Sequence, residues 1–181
     1  MNCYLSPKAI VSPSSSQQVS KVLALCRFLD ATFSTRGGGH LQNPGFCSND
    51  GGVVICLSKF REVTLSADKK TANIGVGLTW FEVYKQLDRY EVAVTGGRMP
   101  TVGVPGLLLG GGLSFQNSQY GFSCSGVVNY QVSTVLRNLF CGFSTMLSGV
   151  GCAGRLEHCK CQCEGEHGSV LGTERGMLQL R

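Results

Sequence analysis

The residues best suited to chemistry in this chain are a histidine and the three glycines before it. They lie in the run Thr35-Arg36-Gly37-Gly38-Gly39-His40. Because glycine has no side chain, the bare backbone N–H groups of such a loop can converge on an anion such as a pyrophosphate. His40 would then lie beside the molecule that carries the anion.

A second glycine-rich segment points to the same kind of ligand. It reads Gly103-Val104-Pro105-Gly106-Leu107-Leu108-Leu109-Gly110-Gly111-Gly112. A glycine turn of this kind lets the backbone approach something large and flat. Two such segments in one chain therefore predict a bulky phosphorylated cofactor.

Composition limits the classes of protein to consider. With 181 residues, 43% of them hydrophobic and 15% charged, the chain is predicted to be one globular domain with a substantial core. The net charge of +5 is mild, and Lys69-Lys70 is the sole adjacent basic pair, so nucleic-acid binding is not expected. No apolar run approaches the roughly 18 residues of a membrane span, so no membrane is expected either.

The two ends of the chain differ in kind. The N-terminus lacks the charged region and apolar core of a signal peptide, and the sequence assigns no compartment. Four of the ten cysteines lie in residues 1–123 and six in residues 124–181. From Ser133 onward, apolar residues follow neither the helical nor the strand period.

The elements that must position the two glycine segments can be predicted over the first 132 residues. Residues 9–11 favour a strand, and a helix capped by Ser14 and Ser15 ends near Asp30. Residues 32–34 then run extended into the first glycine loop.

Further strands and one helix follow that loop. Residues 53–57 form an apolar run typical of a strand buried on both faces. Residues 63–66 and 71–76 predict a hairpin that turns at 67–70, Thr79 and Glu82 form a capping box that opens a helix, and residues 127–132 predict the last strand. The predicted fold class is α+β.

These segments resemble the vanillyl-alcohol-oxidase and berberine-bridge-enzyme-like FAD-linked oxidoreductases, in particular their fungal branch. The resemblance covers nearly all of residues 5–132. It implies a PCMH-type FAD-binding domain, here its first subdomain and the start of the second, with an irregular C-terminal tail. The residues that carry it are Ala9 to Ser15, Arg36 to His40, Asn43 to Phe46, Val102 to Ser114, Tyr120-Gly121 and Val127 to Tyr130.

The resemblance also implies the cofactor and its contacts. Residues 37–39 would cradle the FAD pyrophosphate, and a nitrogen of His40 could bond covalently to the electrophilic 8α position of the flavin. The plain alternative for His40 is a loop histidine satisfied by backbone. The cofactor-binding residues expected are Arg36, Gly37, Gly38, Gly39, His40, Gly103, Val104, Gly106, Gly111, Gly112 and Val127.

Three positions depart from the family pattern. Some members form a second flavin bond from a cysteine, where this chain has Met99. A thioether cannot act as that nucleophile, so a covalent link is expected through His40 alone. Pro105 replaces a usual glycine and removes a backbone donor, and Ser125-Gly126 stands where Asp-Asn is common.

Other ligand sites are less well supported. Residues 158–163 read His-Cys-Lys-Cys-Gln-Cys and, with His167, could offer ligands to zinc or copper(I). The alternating C-x-C-x-C pattern lacks the paired spacing of a closed structural site, so no metal is predicted. A Rossmann fingerprint and a P-loop are both absent from the sequence.

The family's continuation suggests an explanation for the tail. Residues 159–180, back-translated and read one base forward, permit ANANARENTDLFWALKGGCSNF, which resembles that continuation. Val132-Ser133 can be encoded by GTAAGT or GTGAGT, the usual start of an intron. We therefore expect residues 5–132 to be a partial PCMH-type domain, and residues 133–181 to be a non-native tail from a retained intron and a shifted frame.

By resemblance, the chain is an FAD-dependent oxidoreductase present as a truncated FAD-binding fragment. Intact relatives oxidise a small-molecule substrate by hydride transfer to the flavin, with O₂ as the acceptor, and are often secreted. FAD and a small-molecule substrate are the partners expected, and no catalytic acid or base can be named. Two alternatives stay open: a non-functional truncated product and a cysteine-rich metal-binding protein.

Overall fold

A small parallel sheet forms the first layer of the fold. The computed structural model describes residues 5–133, 160–163 and 177–180, the last two segments as backbone only. Strands β1 (Ala9–Val11), β2 (Phe33–Arg36) and β3 (Val53–Cys56) pair in the order β1-β3-β2, all parallel. Val54 and Ile55 are both buried, which confirms that β3 is covered on its two faces.

Helix α1 (Ser16–Phe28) connects the parallel strands β1 and β2. Ser15 caps it, because its side chain accepts a hydrogen bond from the Gln18 N–H at 3.3 Å. Leu23 and Cys26 are buried on its inner face. The chain leaves the helix through Asp30 at φ 48°, where the sequence predicted its end.

A second, mixed sheet carries the rest of the strands. The predicted hairpin is present as β4 (Val63–Leu65) and β5 (Ala72–Gly75), which are antiparallel. The order is β4-β5-β8-β6-β7, with β6 at Val127–Val132, β7 at Lys160–Cys163 and β8 at Met177–Leu180. Apart from these two strands and Ser133, the expected tail lies outside the described residues.

Helix α2 (Trp80–Asp88) packs on this second sheet. Its start follows the predicted capping pattern, since the Thr79 N–H donates to the Glu82 carboxylate at 2.9 Å. Trp80, Val83 and Leu87 are fully or almost fully buried along one face. Their full burial contributes about 1.5–3 kcal/mol for each aliphatic side chain, which makes α2 the centre of the core. The other core members are Ala72, Ile74, Leu78, Val104, Leu108 and Val127.

The second glycine-rich segment differs from the open turn that its sequence predicted. Its middle forms helix α3 (Val104–Leu109), with Gly103 as N-cap and Gly110 as C-cap. Pro105 lies in the first turn, where a missing N–H costs no hydrogen bond. A short helix α4 (Asn117–Tyr120) and a 3₁₀ turn (Ser123–Gly126) then lead into β6. No helix in the described part of the chain is long and apolar enough to cross a membrane.

Candidate functional site

The two glycine-rich segments meet through their backbones. A Cβ built on Gly38 would lie 2.4 Å from the Gly103 nitrogen, and one built on Gly103 would lie 2.4 Å from the Gly38 nitrogen. No real Cβ tolerates so short a contact, so both positions require glycine for close approach. The sequence predicted two glycine loops that face one cofactor, and in the structure the two segments touch.

Secondary structure fixes both sides of this junction. The first loop leaves the C-terminal end of β2, and the Leu57 N–H donates to the Arg36 carbonyl at 2.8 Å where β3 ends. Carboxyl ends of parallel strands are the usual place for ligands in such sheets. The second segment is tied to α2, since the Trp80 N–H donates to the Val102 carbonyl at 3.0 Å and the Val104 N–H donates to the Leu78 carbonyl at 3.0 Å.

A hollow of about 290 Å³ opens between the two segments. The His40 imidazole lies on its wall, and its Nε2 atom is 3.1 Å from the Thr101 hydroxyl oxygen. The imidazole therefore links the first loop to the residues just before the second segment. The residues that line the hollow are Thr35, Gly37, Gly38, Gly39, His40, Leu41, Phe46, Cys47, Val102, Gly103, Gly106 and Leu107.

The first loop offers backbone donors to this hollow. Gly39 has φ 67°, a left-handed conformation that favours glycine. Within the described part of the chain, no backbone carbonyl accepts a hydrogen bond from the N–H groups of Gly37, Gly38 or Gly39. Turns of this kind leave their N–H groups free for an anion.

The charge at the loop is positive. A Cβ on Gly39 would lie 2.6 Å from the Arg36 Nε, so the guanidinium lies directly against the loop. Burial acts to raise the pKa of the nearby Cys56 thiol, but hydrogen bonding with Ser58 and the Arg36 charge outweigh it, and the pKa is lowered. Arg36 thus brings a permanent positive charge to the first glycine loop.

The hollow fits one part of a dinucleotide. A Cβ on Gly106 would meet nothing within 4 Å, so this glycine leaves space where a side chain would intrude. None of the described residues that line the hollow is acidic. Its volume suits a diphosphate and the adjoining edge of a flavin ring, and a complete cofactor would extend beyond it.

Several of the predicted cofactor-binding residues do not reach this hollow. Val104 is fully buried in the core. Gly112 packs against Ser123, and Gly111 accepts a hydrogen bond from the Cys124 N–H at 3.0 Å. Val127 lines a separate cavity of about 560 Å³, together with Asp68, Lys70, Thr71, Thr95, Tyr120, Ser125, Gly126 and Val128. Arg36 is likewise not among the residues that line the hollow, and the contact of all five residues with FAD stays a prediction.

Sequence reasoning missed part of the site. Thr101 was not predicted to contact His40, although it lies only two residues before the second glycine-rich segment. The apolar residues Leu41, Phe46 and Leu107 also line the hollow. Phe46 and Leu107 lie in segments that carry the family resemblance, but none of the three was predicted to contact the cofactor. Pro105 lies over the first loop, 3.0 Å from a Cβ built on Gly37, so it adds a rigid wall at the junction.

The sequence pattern of the FAD binding domain family matches residues 7–135. An FAD-dependent monooxygenase of the fungus Arthrobotrys oligospora is 47% identical over 131 residues, which are 72% of this chain and 25% of that protein. The chain therefore belongs to the FAD binding domain family, within the vanillyl-alcohol-oxidase and berberine-bridge-enzyme-like oxidoreductases. It spans about a quarter of the length of that relative.

Solved structures agree on the fold. The 6-hydroxy-D-nicotine oxidase of Arthrobacter nicotinovorans superposes with a TM-score of 0.75 at 23% identity, over 98% of this chain and 36% of that one. Glucooligosaccharide oxidase from Acremonium strictum gives 0.62 at 27% identity, over 68% of this chain and 26% of that one. The latter is described with a 6-S-cysteinyl, 8α-N1-histidyl FAD. The expected fold class and FAD as the cofactor of this domain are confirmed.

Proposed function

We propose that this chain forms the part of an FAD-linked oxidoreductase that holds the flavin diphosphate and tethers the flavin ring. The observation that supports this role most strongly is the single hollow shared by the two glycine-rich segments, with His40 on its wall. The bound flavin would accept a hydride from a small-molecule substrate and pass the electrons to O₂.

Each group in the hollow has a part in binding. The N–H groups of residues 37–39 would donate to the diphosphate oxygens, while the Arg36 guanidinium balances their charge. The apolar side chains of Leu41, Phe46 and Leu107 would cover the edge of the ring and exclude water. Gly106 would allow the backbone of α3 to approach the cofactor.

The covalent tether would be single. His40 is exposed, so its ring can reach a bound flavin. In glucooligosaccharide oxidase the flavin carries both a cysteinyl and a histidyl bond. Met99 is 57% exposed at the position where some members have the bonding cysteine, and its thioether cannot supply the second bond.

Acid precipitation tests this function. The chain is incubated with FAD, precipitated in acid, and the flavin absorbance of the washed pellet is measured. We expect flavin in the wild-type pellet and none in His40→Ala, since that substitution removes the nucleophile. His158→Ala is the matched control and should retain all of the flavin. A flavin-free wild-type pellet, or flavin retained by His40→Ala, would contradict the tether.

The tail proposal has its own experiment. We infer that residues 133–181 arise from a retained intron and a shifted frame, on the coding arguments from Val132-Ser133 and residues 159–180. Sequencing of the transcript should show intron boundaries near Val132 and, in the frame one base forward, the family's continuation. A transcript that lacks this continuation in the shifted frame would overturn it.

A further inference from the structure

Among the described residues, Thr101 makes the one side-chain hydrogen bond with His40. The Nε2 atom and the Thr101 Oγ1 atom are 3.1 Å apart, across the junction of the two glycine-rich segments. Among the described residues, no hydrogen bond engages the other ring nitrogen, Nδ1. The two nitrogens of this imidazole are therefore held in different environments.

Thr101 is itself held firmly. The backbone on either side of it caps the first turn of α2: the Phe81 N–H donates to the Pro100 carbonyl at 3.2 Å, and the Trp80 N–H donates to the Val102 carbonyl at 3.0 Å. Trp80 is fully buried beneath this turn. Because both neighbours are fixed, the exposed Thr101 side chain presents its hydroxyl from a rigid platform.

The geometry points to Thr101 as the positioning residue that selects which nitrogen of His40 bonds to the flavin. When Nε2 carries its proton, it donates to the Thr101 oxygen and Nδ1 keeps a free lone pair. Nδ1 is then the nucleophile, and Nε2 is occupied. This inference rests on the proposed tether and assigns a role to a residue outside the glycine loops.

Formation of the bond between His40 and the flavin is an oxidation of the 8α methyl group. One C–N bond forms between Nδ1 and the 8α carbon, while one C–H bond of the 8α methyl group breaks and its proton leaves. The Nε2 proton leaves to solvent beside the Thr101 hydroxyl. The two electrons pass to the ring system and are removed by dioxygen, which becomes hydrogen peroxide.

Two substitutions at one position test the inference. Thr101→Val keeps the shape of the side chain and removes the hydroxyl, whereas Thr101→Ser keeps the hydroxyl. We expect Thr101→Val to slow covalent incorporation about tenfold, the effect of one lost hydrogen bond. Peptide mapping should find only the Nδ1 link in the wild type and Thr101→Ser, and a mixture of Nδ1 and Nε2 links in Thr101→Val. Thr95→Val, in the separate cavity, is the control and should behave as wild type.

A measurement without flavin separates this inference from the tether itself. With ¹⁵N-labelled histidine, the Nε2–H proton of His40 should exchange slowly enough with water to be observed in the wild type and Thr101→Ser, and should vanish in Thr101→Val. The role of Thr101 would be overturned if the Nε2–H proton exchanged at the same rate in Thr101→Val as in the wild type. It would also be overturned if Thr101→Val incorporated flavin at the wild-type rate and through Nδ1 alone. If no variant incorporates flavin, the exchange experiment alone decides the role of Thr101, and the proposed tether fails separately.

Discussion

The two glycine-rich segments are similar in sequence but differ in structure. Residues 37–39 remain an open loop that lines a hollow, and only one glycine there, Gly39, takes a left-handed conformation. The second segment folds into α3 and uses Gly103 and Gly110 as its caps. Its final glycines, Gly111 and Gly112, have positive φ and lie against the 3₁₀ turn.

The difference teaches that a glycine run can be kept for binding or for packing. Gly38 and Gly103 are required by each other, since their backbones touch. A Cβ on Gly106 would meet no described atom within 4 Å, so the space beside this glycine is open. Alanine at Gly38 or Gly103 should therefore lower the stability of the fold, whereas alanine at Gly106 should raise stability slightly and weaken FAD binding.

The largest effect is expected at the junction. Gly38→Ala would place a Cβ 2.6 Å from the Gly103 Cα, and neither backbone can move without disturbing its strand or helix. The free energy of unfolding should fall by about 3 kcal/mol, the upper range for overpacking. Urea denaturation measures this value. Gly103→Ala should be equally damaging, and a stable Gly38→Ala would show that the two backbones do not touch.

A smaller effect is expected at the end of α3. Gly112→Ala combines φ 80° with a Cβ 2.8 Å from the Ser123 Cβ, so we expect a loss of about 2 kcal/mol. Gly111→Ala has φ 95° and no neighbour within 4 Å, so it should lose about 1 kcal/mol from conformation alone. Thermal unfolding of both variants compares them. Equal losses would mean that Ser123 yields to the new methyl group.

Gly106→Ala should separate stability from binding. Gly106 lies inside α3, where alanine is favoured over glycine by up to about 1 kcal/mol, and its Cβ would enter open space. The variant should thus be slightly more stable and should bind FAD more weakly, since the methyl group enters the hollow. Calorimetric titration with FAD, beside thermal unfolding, measures both. Unweakened FAD binding would place the cofactor away from α3.

The smallest effect concerns Tyr84, on the exposed side of α2. Burial raises the pKa of Tyr84 to about 12, and its hydroxyl donates to the Gly97 carbonyl at 2.9 Å. The folded state binds the phenol proton more tightly than the unfolded state does, so this stability is present below pH 10 and is lost as the pH rises toward 12. Tyr84→Phe should flatten that alkaline decline. The change should be small, because 36% of the side chain is exposed.

Much of the fold could be predicted because its local signals agree. The hairpin 63–75 has turn residues between two apolar runs, α2 begins at its predicted cap, and β3 is the predicted buried strand. The first glycine loop and His40 were likewise found from residue types alone. These features depend on neighbours in sequence, which a pattern can report.

The rest of the site depends on contacts that sequence does not encode locally. Helix α3 was missed because its leucine run is short and bounded by glycines, a pattern that also suits a turn. Thr101 was missed because its partner, His40, is distant in the sequence. Val104 was assigned to the cofactor site because the sequence alone does not distinguish a buried core side chain from one that contacts a cofactor. The sequence alone likewise does not distinguish a glycine required for close packing from one that leaves space for a ligand.

The capping of α2 by the carbonyls of Pro100 and Val102 has a practical consequence. The packing of this helix fixes the position of the backbone that carries Thr101. Substitutions that loosen Trp80 or its neighbours would therefore misalign the imidazole without contacting it. The yield of histidyl flavin would then report on how well the interior has assembled. The flavin absorbance of an acid-precipitated pellet would then serve as an assay for the correct folding of α2 and the segment around Thr101.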